Sequence, residues 1–72
     1  MPRTIHTNEY HAVVKRLKQA RIKAGLTQKE TASKIERPQS YISKIEAGEQ
    51  RLDILELKVF ANLYKKKLDY FL

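Results

Sequence analysis

The 72-residue chain contains no cysteine. That absence excludes a disulfide framework and a thiolate zinc finger, and leaves packing alone to hold a fold, as suits a reducing cytosol. Two glycines and two prolines are too few for the closely spaced turns of an all-β protein, so helices are favoured. No apolar run approaches the roughly 18 residues of a membrane helix, and no signal peptide is visible. A soluble cytoplasmic protein without a membrane partner is expected. Acidic residues are scarce beside basic ones, 8 against 15, and the net charge of +7 attracts polyanions. Charge alone leaves two readings open: a nucleic-acid partner, or lysines that only keep a small protein in solution. The basic residues run along the whole chain, and the one cluster, Lys65-Lys66-Lys67, sits between apolar segments, so no disordered basic tail is indicated.

What is present is an apolar content of 42%, enough for one core in one small domain, with no room for a substantial catalytic cleft. Tyr10, Val13, Val14, Leu17, Ala20 and Ala24 follow helical spacing and predict an amphipathic first helix from about Asn8. Gly25 ends it by taking the left-handed conformation, with Leu26 folding back on the last turn. Thr27 to Glu30 forms a capping-box pattern that opens a short second helix ending near Ile35, with Ala32 and Ile35 inward. Pro38 stops any continuation and suits the start of a third helix, which runs to Ala47 before Gly48. Asp53 to Glu56 repeats the capping-box pattern and opens a fourth helix to about Tyr64. Lys67 to Leu72 predicts a last short element, giving five helices.

On a wheel of 100° per residue, Tyr41, Ile42 and Ile45 make one arc of the third helix, and Gln39, Ser40, Ser43, Lys44 and Ala47 fill another about 140° wide. Two helices joined by three or four residues, the second presenting short hydrogen-bonding side chains, describe a helix-turn-helix that enters the major groove of DNA. The groove is about 12 Å wide and asks for small groups, amides for adenine edges and a cation for guanine. Gln39, Ser40 and Lys44 meet that demand, though a polar face alone also suits an ordinary surface. Glu46 is oddly placed, because a carboxylate in the last turn opposes the helix dipole. It lies at the edge of the apolar arc beside Ile42, so it needs a cation, and Arg21 is the candidate.

The run Arg21-x-x-x-Gly25-Leu26-Thr27-Gln28-x-Glu30-x-Ala32, followed by Ser40-Tyr41-Ile42-Ser43-Lys44-Ile45-Glu46-x-Gly48, resembles the Cro and phage-repressor type helix-turn-helix family, also called the Xre family. The likeness continues through Leu57, Phe60, Ala61 and Tyr64 to Leu68-Asp69-x-Phe71-Leu72, nearly all of the chain after about His11. It implies an all-α, five-helix, lambda-repressor-like domain over residues 9–72, preceded by an arm of residues 1–8. It also implies a regulator of transcription, expected to act as a repressor, that binds double-stranded DNA as a homodimer on a palindromic operator in a bacterial or phage cytoplasm, without cofactor or small-molecule ligand. By resemblance, Gln39, Ser40 and Lys44 face bases, and Thr27, Gln28, Arg37, Ser43 and Arg51 lie at the DNA backbone. Arg21 and Glu46 match a buried salt bridge between the first and third helices.

The sequence departs from the family pattern at three places. Glu36 stands where glycine is usual, so the turn must seat a non-glycine residue in a left-handed conformation. Thr31 replaces a customary apolar residue, and Glu49 puts a negative charge in a loop expected near phosphate. His6 and His11, with only Glu9 nearby, make a poor metal set, and the serines lack base and acid partners, so neither a metal nor an enzyme is expected. The fourth helix is apolar on two sides. Leu57, Phe60, Ala61 and Tyr64 suit the core, while Leu55, Val59 and Leu63, with Phe71 and Leu72, suit a self-complementary dimer surface, unless the chain's own ends cover it. Alternatives are a helical protein-interaction module or, within the class, an antitoxin or a restriction-modification controller.

Overall fold

A computed structural model describes residues 8–72. They form four α-helices, α1 (Asn8–Lys23), α2 (Gln28–Lys34), α3 (Gln39–Glu46) and α4 (Ile54–Leu63), followed by a 3-10 turn at Leu68–Tyr70, and no strand occurs among them. The class is all-α as expected, but the α-helices number four and not five. The last element is closed by i to i+3 bonds, from the Tyr70 N–H to the Lys67 carbonyl (3.0 Å), Phe71 to Leu68 (3.1 Å) and Leu72 to Asp69 (3.2 Å), which is 3-10 and not α geometry. The arm expected over residues 1–8 lies outside the described residues except for Asn8, which opens α1. No described helix is long and apolar enough to cross a membrane.

Both capping boxes form. Thr27 Oγ1 accepts the Glu30 N–H at 3.0 Å and Glu30 Oε1 accepts the Thr27 N–H at 2.9 Å. Asp53 Oδ1 and Glu56 Oε1 exchange the equivalent bonds at 2.8 and 3.0 Å. These bonds satisfy amides that a helix start otherwise leaves bare. Pro38 is the cap residue of α3 rather than its first helical residue, and no side chain closes that N-terminus.

Each of the four described α-helices ends in a Schellman pair of bonds with a left-handed residue just past the end. Gly25 and Gly48 supply it after α1 and α3, each at φ 75°. Glu36 (φ 57°) supplies it after α2 and Lys65 (φ 58°) after α4, where the Arg37 N–H returns to the Ala32 carbonyl and the Lys66 N–H to the Ala61 carbonyl, both at 2.9 Å. The left-handed seat foreseen at Glu36 is present, and the one at Lys65 was not foreseen. Ala24, expected on the inner face of the first helix, lies beyond its last residue and is exposed.

The core joins Leu17 and Ala20 of α1, Ala32 of α2, Ile42 and Ile45 of α3, Leu57, Phe60 and Ala61 of α4, and then Tyr64 and Phe71. Full enclosure of the larger apolar side chains stabilises by about 1.5–3 kcal/mol each. Phe71 therefore corrects an expectation. It is 0% exposed, its backbone carbonyl accepts from Arg16 Nη1 at 3.3 Å, and it belongs to the core and not to a dimer surface. Leu63 is only half-buried and packs against the same cluster. Leu55 (68%), Val59 (47%) and Leu72 (68%) are exposed.

Candidate nucleic-acid interface

Helix α3 packs on α2 and on α1, with Ile42 and Ile45 enclosed beneath it. Gln39, Ser40, Ser43 and Lys44 all lie on its outer side and are all exposed. Helical spacing produces this division: with Ile42 and Ile45 fixed inward, Ser40, Ser43 and Lys44 fall on the opposite side with Gln39 at its edge, while Tyr41 and Glu46 flank the inner arc. The result is a rigid helix with amide, hydroxyl and ammonium groups on one continuous surface. Its N-terminus has no side-chain cap, so the positive end of its dipole is left to water or to an anion.

Arg21 and Glu46 fix the helix on its other side. Arg21 Nε donates to Glu46 Oε2 at 2.7 Å and Nη2 donates to Oε1 at 3.1 Å, a two-pronged contact between side chains only 11% and 5% exposed. Arg21 Nη1 also donates to the Leu26 carbonyl at 2.8 Å, which ties the α1–α2 turn to the same guanidinium. The bond to Glu46 raises the Arg21 pKa above its ordinary value, so the cation is permanent. Gln28 Nε2 donates to Glu46 Oε1 at 3.1 Å. One amide hydrogen of Gln28 is thus committed to Glu46.

The remaining residues expected at a DNA backbone fall on the same two-helix unit or beside it. Thr27 is exposed at the start of α2, its hydroxyl occupied by the capping box. Arg37 is exposed in the turn, its guanidinium carbon 4.9 Å from the centroid of the Tyr41 ring. Arg51 is exposed in the α3–α4 loop. That loop is tied to α1, since the Tyr10 hydroxyl donates to the Gln50 carbonyl at 2.8 Å. Glu49 is exposed in the same loop.

Two contacts in this region were not read from the sequence. The Tyr41 hydroxyl donates to Glu56 Oε2, and the Tyr41 ring stacks on Phe60 with centroids 6.4 Å apart. Tyr41 is partly buried, and burial, aided by the Glu56 carboxylate, raises its pKa well above the ordinary tyrosine value. The only sequence signal was its apolar-arc position, which says nothing of a partner 15 residues away.

Among the described residues no group of three or more histidine, aspartate or glutamate side chains is placed to hold a metal ion; His6 lies outside them. No curated protein matches the chain. A model of the helix-turn-helix family HTH_3 matches residues 17–71, a span that takes in every helix from the second half of α1 onward, the Arg21–Glu46 pair and the whole outer face of α3. With the all-α architecture and the α2–turn–α3 unit in place, the chain belongs to this helix-turn-helix family of Cro/C1 type, whose members are DNA-binding regulators of transcription.

Proposed function

We propose that residues 9–72 act as one DNA-binding domain that represses transcription as a homodimer on a palindromic operator. Gln39, Ser40 and Lys44 read base edges in the major groove, with the amide suited to adenine and the ammonium to guanine. Thr27, Gln28, Arg37, Ser43 and Arg51 hold the phosphates that set the depth and angle of entry. The observation that carries this reading is the outer face of α3, exposed at Gln39, Ser40, Ser43 and Lys44 over a wholly enclosed Ile42 and Ile45. Such a face keeps its shape on binding, so little ordering cost opposes recognition.

The dimer rests on Leu55, Val59 and Leu72, exposed apolar side chains that a second copy can cover, and on the half-buried Leu63. Two-fold pairing places two α3 helices about 34 to 36 Å apart, on successive major grooves. Selection of sites from random duplex DNA, with the stoichiometry of the complex measured, tests the reading. A palindrome bound by two chains, with affinity falling steeply as salt rises, is the expected result. A complex insensitive to salt, or a chain that enriches no sequence, favours instead a protein partner on the exposed apolar face.

A further inference from the structure

Arg37 stands in the turn that joins α2 to α3, and its backbone is committed, since its N–H closes the Schellman bond to the Ala32 carbonyl. Its side chain is exposed, and an exposed arginine ordinarily samples many rotamers. Here it lies over the face of Tyr41, 4.9 Å from guanidinium carbon to ring centroid. Two further contacts hold the ring. Its plane is near-parallel to that of Phe60, with 16° between them, and its hydroxyl donates to Glu56 Oε2. Glu56 is itself fixed, because Oε1 accepts the Asp53 N–H at 3.0 Å and its own N–H binds Asp53 Oδ1 at 2.8 Å. Both carboxylate oxygens are therefore used, one to cap α4 and the other to fix a residue of α3. Arg37, Tyr41 and Glu56 line one shallow hollow of about 120 Å³ with Ile35, Val59 and Phe60.

We propose that Tyr41 and Glu56 are positioning residues for Arg37: Glu56 pins the Tyr41 ring, and the ring seats the Arg37 guanidinium beside the N-terminus of α3, ready for a DNA phosphate. This rests on the DNA-binding reading above and adds to it the means by which the α4 cap sets a backbone contact in the turn. A flat guanidinium lying on a ring keeps its N–H edge free, so the seat and a phosphate contact do not compete. Among the described residues Arg37 makes no salt bridge to Glu56, whose two oxygens accept from the Asp53 amide and the Tyr41 hydroxyl.

The test uses the full chain and a fluorescein-labelled duplex of mixed sequence, with affinity measured across a salt series and folding checked by circular dichroism. Arg37→Ala is expected to weaken binding and to lower the slope of log affinity against log salt by about 1. Tyr41→Leu, which keeps an apolar contact for Phe60 but removes the seat, is expected to weaken binding by about two- to fivefold, the worth of an exposed cation–π contact. Tyr41→Phe, which keeps the ring but loses the pin, is expected to fall between Tyr41→Leu and the parent. In an Arg37→Ala background neither Tyr41 variant should have a further effect. Equal losses with and without Arg37 overturn the proposal, because Tyr41 then acts through the fold. A Tyr41→Phe variant indistinguishable from the parent overturns the part assigned to Glu56. A parent chain that shows no salt-dependent duplex binding overturns the DNA-binding reading and this inference together, whereas the first two outcomes leave that reading standing.

Discussion

Arg21 of α1 and Glu46 of α3 meet in a two-pronged ion pair enclosed on nearly all sides, 2.7 Å at the shorter contact, and Gln28 of α2 adds its amide to the same carboxylate. Three helices thus share one buried charge. Glu46 sits in the last turn of α3, where the dipole disfavours it, and the guanidinium offsets that cost while fixing the roll of α3 against α1. Roll decides which residues reach the outer face.

Removing either partner alone leaves a buried charge without a counterion, which costs about 3–5 kcal/mol, a large part of the stability of a domain this size. Glu46→Ala and Arg21→Ala should each lower the urea midpoint strongly. The double variant should lose much less than the sum, and a paired apolar replacement, Arg21→Met with Glu46→Leu, should recover most of the loss. Strict additivity in chemical denaturation would show that the two charges do not stabilise one another.

Glu36 and Lys65 occupy left-handed backbone that favours glycine, at φ 57° and 58°. The left-handed conformation costs an L-residue about 1–2 kcal/mol, and the greater freedom of glycine in the unfolded chain returns part of that. Glu36→Gly and Lys65→Gly are each expected to stabilise by about 0.5–1 kcal/mol, measured by thermal or urea unfolding. Gly48→Ala should lose a similar amount. A methyl there would meet only the His11 ring, at 3.6 Å, so the loss would come from backbone strain and not from a clash.

Tyr64 and Thr31 carry buried hydroxyls with no hydrogen-bond partner among the described residues. Burial pushes the Tyr64 pKa up from 10 to about 12, with the Glu46 charge adding to the rise. The folded state thus keeps the Tyr64 proton where the unfolded chain releases it. Stability tied to this group is full below pH 10 and is lost as pH rises to about 12, a change of about 2–3 kcal/mol. Tyr64→Phe should make the fall in unfolding free energy between those pH values shallower. At neutral pH, Tyr64→Phe and Thr31→Val should be neutral or stabilising by up to about 1 kcal/mol, since each removes a polar group that lacks a partner.

The parts of this architecture that were legible in the sequence are those set by neighbours along the chain. Thr27 with Glu30 and Asp53 with Glu56 mark two helix starts because a capping box needs only three residues of spacing, and Gly25 and Gly48 mark two ends. Lys65 gave no such sign, since lysine has no preference for the left-handed backbone it adopts there, where the Lys66 N–H returns to the Ala61 carbonyl. The fourth helix is apolar on both sides, so a wheel does not separate core from surface. Phe71 went to the core only because the 3-10 turn folds it under α1, where Arg16 holds its carbonyl. Tyr41 and Glu56 meet through the approach of α4 to α3, which no local pattern encodes.

The exposed apolar residues of α4 separate association from folding. Leu55→Asp touches a side chain 68% open to solvent, so the monomer fold should survive while the proposed dimer weakens at least about tenfold, visible in sedimentation as a shift to monomer. Phe71→Asp buries a charge in the core and should unfold the chain. A Leu55→Asp protein that still dimerises as tightly as its parent would move the two-fold contact elsewhere on the surface.

Base reading by α3 is the most direct test of what its outer face does. Lys44 and Gln39 are exposed and make no side-chain hydrogen bond to the described residues that would be lost on truncation, so Lys44→Ala and Gln39→Ala should leave unfolding curves unchanged. Each should cost about 1–3 kcal/mol on the selected operator and relax preference at one base pair and its symmetry mate. Arg51→Ala, by contrast, should weaken all sequences alike and lower the salt slope by about 1, because phosphates are the same everywhere on the duplex. The difference between these two patterns carries the assignment. If Lys44→Ala weakens every sequence equally, its ammonium binds phosphate, and the bases are read by Gln39 and Ser40 alone.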